Sequence, residues 1–258
     1  MNIKAIVSTM LSAILLIACS ACCGGDNTVP NGMTAAELVE AALAAEQSLD
    51  SYQFTGAVIG AMTGGTTTVV DVSGDIDEQN KALHINMSHT GHNESMQLYV
   101  VDDWEYIKVY GPNLSSTWNK SPVTEDTWSV RNLPLQQVSA LSDFIAVNYI
   151  GTETVGGVEC YKLEVEPDLV QLLQWFTGDA DMEELDPSID ISEMVSEPSL
   201  TVWVAADTDY LVQTVIEATL SIDLEYMVMS IGQSISMTRS QFDQPVSIEL
   251  PPDVGDAD

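Results

Sequence analysis

From Ser51 onward the sequence alternates apolar and polar residues with a period of two, and β-branched and aromatic residues dominate. This alternation is typical of strands that bury one face. Short turn-forming stretches, such as Gly64-Gly65 and Asp102-Asp103, separate the runs. Strands joined by such short turns must be antiparallel, because a parallel connection needs about a dozen residues or more. The pattern predicts strands near residues 52–60, 66–76, 81–89, 95–101, 104–110 and 116–119.

The same alternation returns in the second half of the chain after an interruption. Two strands joined by Gly156-Gly157 are followed by an acidic loop and then by a second meander, with one of its turns near Gly232. The predicted strands are 149–154, 158–165, 199–206, 210–220, 222–231 and 233–242.

Three segments have helical spacing instead. Thr34 and Glu37 form a capping box at the start of a helix of about 15 residues. Residues 133–147 and 168–177 predict two further helices, which begin near Pro134 and after Pro167. One helix, a long meander, interposed helices and a second meander predict an α+β fold, in which helices pack on the concave face of a curved antiparallel sheet.

The N-terminus has the pattern of an export signal. Lys4 precedes an apolar run that is too short to span a bilayer, and the run ends in Leu16-Ile17-Ala18-Cys19. These four residues resemble the lipobox of prokaryotic lipoproteins, and the resemblance implies that Cys19 is lipidated and that residues 1–18 are removed. A plain secretory signal cut nearby and an uncleaved anchor are the alternatives. Residues 19–33 are small and polar, which predicts a flexible tether.

The charge of the chain is strongly one-sided. It has 39 acidic and 7 basic residues, a formal net charge of −32. Such a surface repels nucleic acid and anionic lipid headgroups at long range, so no nucleic-acid partner is expected.

The four cysteines do not form a disulfide framework. Cys22 and Cys23 lie beside Cys19, whereas Cys160 stands alone far along the chain. A bridge from Cys22 or Cys23 to Cys160 would pin the tether to the domain. A buried free thiol at Cys160 is the simpler expectation.

Several stretches between residues 34 and 252 follow one another in a characteristic order. They are the first helix running into Ser51-Tyr52-Gln53-Phe54, then Trp104 to Lys108, Trp118 to Lys120, Gly157 to Val165, Val202 to Asp209 and Phe242 to Pro252. Together they resemble the LolA/LppX-like lipoprotein-carrier superfamily. The resemblance implies one domain over 34–252, followed by an acidic tail over 253–258. It also implies an incomplete antiparallel β-barrel with helices at its mouth and a cavity that binds acyl chains.

Residues that could line such a cavity are apolar residues on the interposed helices and methionines on the last strands. Methionine is flexible and polarisable and suits a wall that accepts variable chains. Ordinary core packing is the alternative for each of them. The candidate ligand-binding residues are Phe144, Leu172, Trp175, Phe176, Met227 and Met229.

No motif indicates catalysis, a metal or a cofactor. The three histidines, His84, His89 and His92, cluster around one predicted hairpin, but His84 and His89 would face opposite sides of a strand. The acidic run from Asp179 has calcium-loop spacing, yet Glu184 stands where such a loop needs glycine. No nucleophile elbow, zinc-protease motif or phosphate-binding glycine loop is present in the sequence.

These features predict a non-enzymatic lipoprotein of the cell envelope, held at the membrane through Cys19 and facing the periplasm or the cell exterior. Its domain is expected to bind a lipid or another hydrophobic ligand between sheet and helices. The alternative is a sensor or interaction module that uses the same fold to recognise a protein partner in the envelope.

Overall fold

A computed structural model describes residues 27–256, apart from 63–64, 66, 113–115, 125–126, 133, 135–136, 139–140, 142–143, 171, 173–193 and 224–227. The helices in this part are α1 (Ala35–Glu46), α2 (Thr127–Arg131) and a 3₁₀ helix (Pro252–Asp256). The first strands are β1 (Ser51–Met62), β2 (Thr67–Asp77), β3 (Ala82–His89), β4 (Ser95–Val101), β5 (Trp104–Tyr110) and β6 (Trp118–Pro122). The others are β7 (Phe144–Val155), β8 (Val158–Pro167), β9 (Val195–Ala205), β10 (Leu211–Asp223) and β11 (Val228–Ser240).

In the described residues these strands form one curved, unclosed antiparallel sheet, in the order β6-β5-β4-β3-β2-β1-β11-β10-β9-β8-β7. The first and second meanders meet where β1 pairs with β11, with Gln53 opposite Ser240 at one end and Met62 opposite Ile231 at the other. Strands β6 and β7 are the two edges. The α+β fold class and the antiparallel meanders are confirmed.

Helix α1 packs on the sheet against β7 and β9. Its predicted capping box is present: Thr34 Oγ1 accepts a hydrogen bond from Glu37 N at 3.2 Å, and Glu37 Oε2 accepts one from Thr34 N at 2.8 Å. The backbone N–H and the hydroxyl of Thr34 both donate to the Glu37 carboxylate and lower the pKa of Glu37. Leu38 and Ala42 on the inward face are buried in a hydrophobic cluster with residues of β8, β9 and β10, which we call the α1 cluster. A second cluster lies on β1 to β4 around Phe54.

The strand predictions hold closely in the first meander, where β4 and β5 have the predicted bounds. Two predictions are wrong. Phe144 and the residues up to Val147 lie in β7, not in a helix, because this segment pairs with the end of β8. Gly232 is not at a turn but inside β11, between Ala61 and Thr219 of the neighbouring strands. The chain reverses instead between Asp223 and Val228.

The packed part of the chain extends beyond both ends of the predicted domain. Val29 is buried in the α1 cluster, although residues 19–33 were expected to form a tether. At the other end Val254 is buried beside Tyr99 and Trp118, and Asp253 Oδ2 lies 2.5 Å from Lys108 Nζ. Among the described residues, no helix is both long and apolar enough to cross a bilayer.

Cys160 lies on β8 as a free and buried thiol. Burial raises its pKa to about 11. We therefore expect Cys160 to be inert to thiol reagents in the native protein at pH 8, because the thiolate fraction there is on the order of one in a thousand. Ellman's reagent on a Cys19→Ser/Cys22→Ser/Cys23→Ser variant, which keeps only Cys160, measures this: the thiol should react only after urea unfolds the protein. Rapid stoichiometric reaction without urea would contradict the expectation.

Candidate ligand cavity

A cavity of about 730 Å³ opens at one end of the sheet, where the two meanders meet. Four parts of the chain enclose it: the end of α1 with the loop into β1, the first residues of β1, the turn between β2 and β3, and α2 with nearby Val138. Its lining consists of Leu43, Glu46, Gln47, Ser48, Leu49, Asp50, Tyr52, Glu78, Gln79, Lys81, Trp128 and Val138.

The apolar part of the lining comes from elements that already pack on the sheet. Leu49 and Tyr52 are buried in the cluster around Phe54, and Trp128 packs against the same cluster. Val138 belongs to the α1 cluster, and Leu43 packs against it. The cavity therefore lies between the two hydrophobic clusters and continues the apolar interior of the sheet.

The polar part begins with a buried ion pair behind the wall of the cavity. Arg239 Nη1 donates to Glu46 Oε2, and the side chains of both residues are less than a tenth exposed. Arg239 Nη2 donates to the carbonyl oxygen of Pro134 at 3.0 Å, and the guanidinium lies 5.2 Å from the centre of the Tyr52 ring. A buried charge of this kind is tolerated only when it is paired and hydrogen-bonded. The pair thus ties the end of α1 to β11.

A chain of hydrogen bonds continues from Tyr52 to the cavity mouth. Tyr52 Oη donates to Asn132 Oδ1 at 3.2 Å, and Asn132 Nδ2 donates to Glu78 Oε1 at 2.7 Å. Burial raises the pKa of Tyr52 well above its usual range, so its hydroxyl stays protonated and donates. Glu78 Oε2 also binds Lys81 Nζ at 2.9 Å, and that ammonium lies 4.8 Å from the centre of the Trp128 ring.

The arrangement suits an amphipathic ligand. Leucine, valine and aromatic side chains offer an apolar surface, while carboxylates, amides and one ammonium lie around them and can meet a polar headgroup. The volume lies within the range of about 300–1,000 Å³ that is usual for small-molecule sites.

The candidate residues from the sequence have different positions. Leu172 is buried in the α1 cluster and Phe144 packs against it, and neither lines the cavity described above. Met229 lies on β11, where only its backbone is described, opposite Ile222. Cys19, Trp175, Phe176 and Met227 lie outside the described residues, and so does the acidic run from Asp179.

The histidines do not converge. His84 Nδ1 lies 3.2 Å from Asp75 Oδ2, and its ring stacks on Tyr99 at 4.4 Å. His89 and His92 meet edge to face at 4.2 Å near the tip of the hairpin. In the part of the chain that is described, no group of three or more His, Cys, Asp or Glu side chains is arranged to hold a metal ion.

Sequence reasoning did not single out Arg239, Glu46 or Trp128. A signal for Arg239 was present: it lies two residues after Met237 on β11, so both share one face, and both are buried. A basic residue on the buried face of a strand needs a buried acidic partner. In a chain with 39 acidic residues the pattern alone does not identify which one.

Solved structures with a similar fold include LprF from Mycobacterium bovis, at 14% identity over 84% of this chain and 96% of that chain, with a TM-score of 0.51. The lipoprotein LppX from Mycobacterium tuberculosis is 21% identical over 83% of this chain and 97% of that chain, with a TM-score of 0.47. A LolA superfamily protein from Nitrosomonas europaea is 11% identical over 85% and 96%, with a TM-score of 0.29. No protein-family model and no curated protein matches the chain. The likeness to LprF shows that the chain has a LolA/LppX-like fold.

Proposed function

We propose that this protein is a lipoprotein of the cell envelope, anchored through Cys19, whose domain binds an amphipathic lipid-like ligand in the 730 Å³ cavity. The observation that carries the proposal is the composition of the cavity wall: an apolar surface continuous with the two clusters, with carboxylates and an ammonium beside it. The LolA/LppX-like fold and the Leu16-Ile17-Ala18-Cys19 sequence support the same reading. The role is non-enzymatic, and the described lining contains neither histidine nor cysteine.

The ligand enters with its apolar chain against Leu43, Leu49 and Val138. Its polar end stays near Asp50, Glu78 and Lys81, where water and hydrogen-bonding groups are available. Hydrophobic burial supplies most of the binding free energy, because each buried methylene contributes about 0.8 kcal/mol. The polar groups then select the orientation of the ligand.

Trp128→Asp is expected to reduce the amount of bound ligand several-fold. The substitution replaces an apolar wall of the cavity with a carboxylate near Glu78, which an acyl chain cannot contact without desolvating the charge. The measurement is organic extraction and mass spectrometry of the mature protein purified from its own membranes.

Trp104→Asp is the matched control, because Trp104 is exposed on β5 and does not line the cavity. It should retain the ligand content of the unmodified protein. Equal ligand content in Trp128→Asp and Trp104→Asp would show that the ligand does not bind in this cavity. An empty unmodified protein would favour the alternative role, recognition of a protein partner.

A further inference from the structure

The edge strand β7 differs from the rest of this acidic protein. Residues 144–152, which form most of β7, contain no charged side chain, although the chain carries 39 acidic residues. Exposed edge strands usually carry charges or proline, which prevent association with other chains. This charge-free edge is therefore a candidate surface for contact with an apolar partner.

Two exposed isoleucines on this edge strand lie at β-bulges. Phe144 and Ala146 pair with consecutive residues of β8, which makes Ile145 the extra residue, and Ile150 is extra in the same way between Tyr149 and Gly151. Ile145 is 64% exposed and Ile150 is 53% exposed. In the described part of the chain these are the highest exposures among large hydrophobic side chains.

The side chain of Asn27 occupies the backbone edge between the two isoleucines. Asn27 Nδ2 donates to the carbonyl oxygen of Val147 at 2.5 Å, and Asn27 Oδ1 accepts from Tyr149 N at 2.8 Å. The amide thereby takes the backbone groups that an added strand would need at the middle of β7. The two bulges interrupt the regular ladder on both sides, so the edge is poorly suited to pairing with another strand.

The same residue fixes where the N-terminal segment leaves the domain. Cys19 precedes Asn27 by eight residues, a length that reaches at most roughly 30 Å when fully extended. A lipid on Cys19 would therefore hold the bilayer surface within roughly 30 Å of Asn27, which is hydrogen-bonded to β7. The opposite edge, β6, lies ten strand positions away across the sheet.

We propose that β7 is the membrane-facing edge of the protein, and that Ile145 and Ile150 insert into the boundary between headgroups and acyl chains. This inference rests on the proposed function, because it requires the lipid on Cys19. Glu164 and Glu166 are exposed on the neighbouring β8 and limit the apolar strip to the edge itself. With those carboxylates nearby, the expected surface is a zwitterionic bilayer and not an anionic one.

The experiment places a tryptophan at each position of the mature, full-length protein reconstituted in phosphatidylcholine vesicles that contain lipids brominated on the acyl chain. Bromine quenches tryptophan only at close range within the membrane. We expect brominated lipids to quench a larger fraction of the tryptophan fluorescence in Ile145→Trp and Ile150→Trp than in the parent protein. Met62→Trp, at a position 49% exposed on β1, should show no such loss. Two positions are used so that one badly folded variant does not decide the result.

The mass of the N-terminal peptide distinguishes the two proposals. If Cys19 carries a lipid but neither position 145 nor position 150 is quenched, the proposal that β7 faces the membrane is wrong and the proposed anchor stands. An unmodified Cys19 overturns the anchor and, with it, this inference. A third outcome is a dimer in detergent in which both positions are shielded from solvent, with no quenching in vesicles. This outcome also overturns the inference and identifies a second copy of the chain as the partner.

Discussion

Glu46→Ala is expected to lower the free energy of unfolding by about 3–5 kcal/mol, because it leaves Arg239 as an uncompensated buried charge. The side chain of Arg239 is 2% exposed, so its charge is poorly solvated once the carboxylate is gone. Glu46 Oε1 also accepts a hydrogen bond from Leu211 N at 3.3 Å, and that donor would lose its partner too. The midpoint and slope of a urea unfolding curve, followed by circular dichroism, measure the change.

Two variants separate the buried pair from a general effect of charge removal. Glu164→Ala removes an exposed carboxylate on β8, and a surface substitution of this kind usually changes stability by less than about 0.5 kcal/mol. The double variant Glu46→Leu/Arg239→Met removes both buried charges and should recover most of the stability that Glu46→Ala loses. If the double variant is as unstable as the single one, the unpaired charge is not the cause.

The sequence predicted most strands but not the buried pair. Alternation of apolar and polar residues located most strands, because one face of each strand is buried and the period of two records that face. The run 144–147 is apolar throughout and has no such alternation, and it was assigned to a helix because Val138, Leu141 and Phe144 fit helical spacing. Pairing with the end of β8 decides for the strand, and such pairing is a property of the whole sheet.

The cavity was harder to predict than the strands. Alternation shows that Tyr52 and Arg239 lie on strands but does not show that β1 and β11 are neighbours. That single pairing places Arg239 beside Tyr52 and beneath the end of α1, and it joins residues from opposite ends of the domain. Trp128 enters from a short helix of five residues, which has too few turns for a periodic signal.

Phe54→Ala is expected to cost about 3–5 kcal/mol of stability, because it leaves a large hole in the second cluster. The Phe54 side chain is 1% exposed and is among the largest fully buried side chains of the described residues. Its ring covers Gly74, its direct partner on β2: a methyl group added to Gly74 would lie 2.7 Å from ring atom Cε1. Gly74 therefore provides the space that the ring fills, and urea unfolding should detect the loss.

Gly74→Ala tests the same contact from the other strand. The added methyl group would meet both the Phe54 ring and the carbonyl oxygen of His84 on β3, so a cost of about 1–3 kcal/mol is expected. Gly60→Ala on β1 is the matched control, because nothing lies within 4 Å of its added methyl group. In the double variant Phe54→Ala/Gly74→Ala the ring is gone but the His84 carbonyl remains. The loss of stability in the double variant should therefore be smaller than the sum of the two single losses, and Gly74→Ala should still destabilise the protein that lacks the ring. Strict additivity would mean that the ring and the glycine do not share this space.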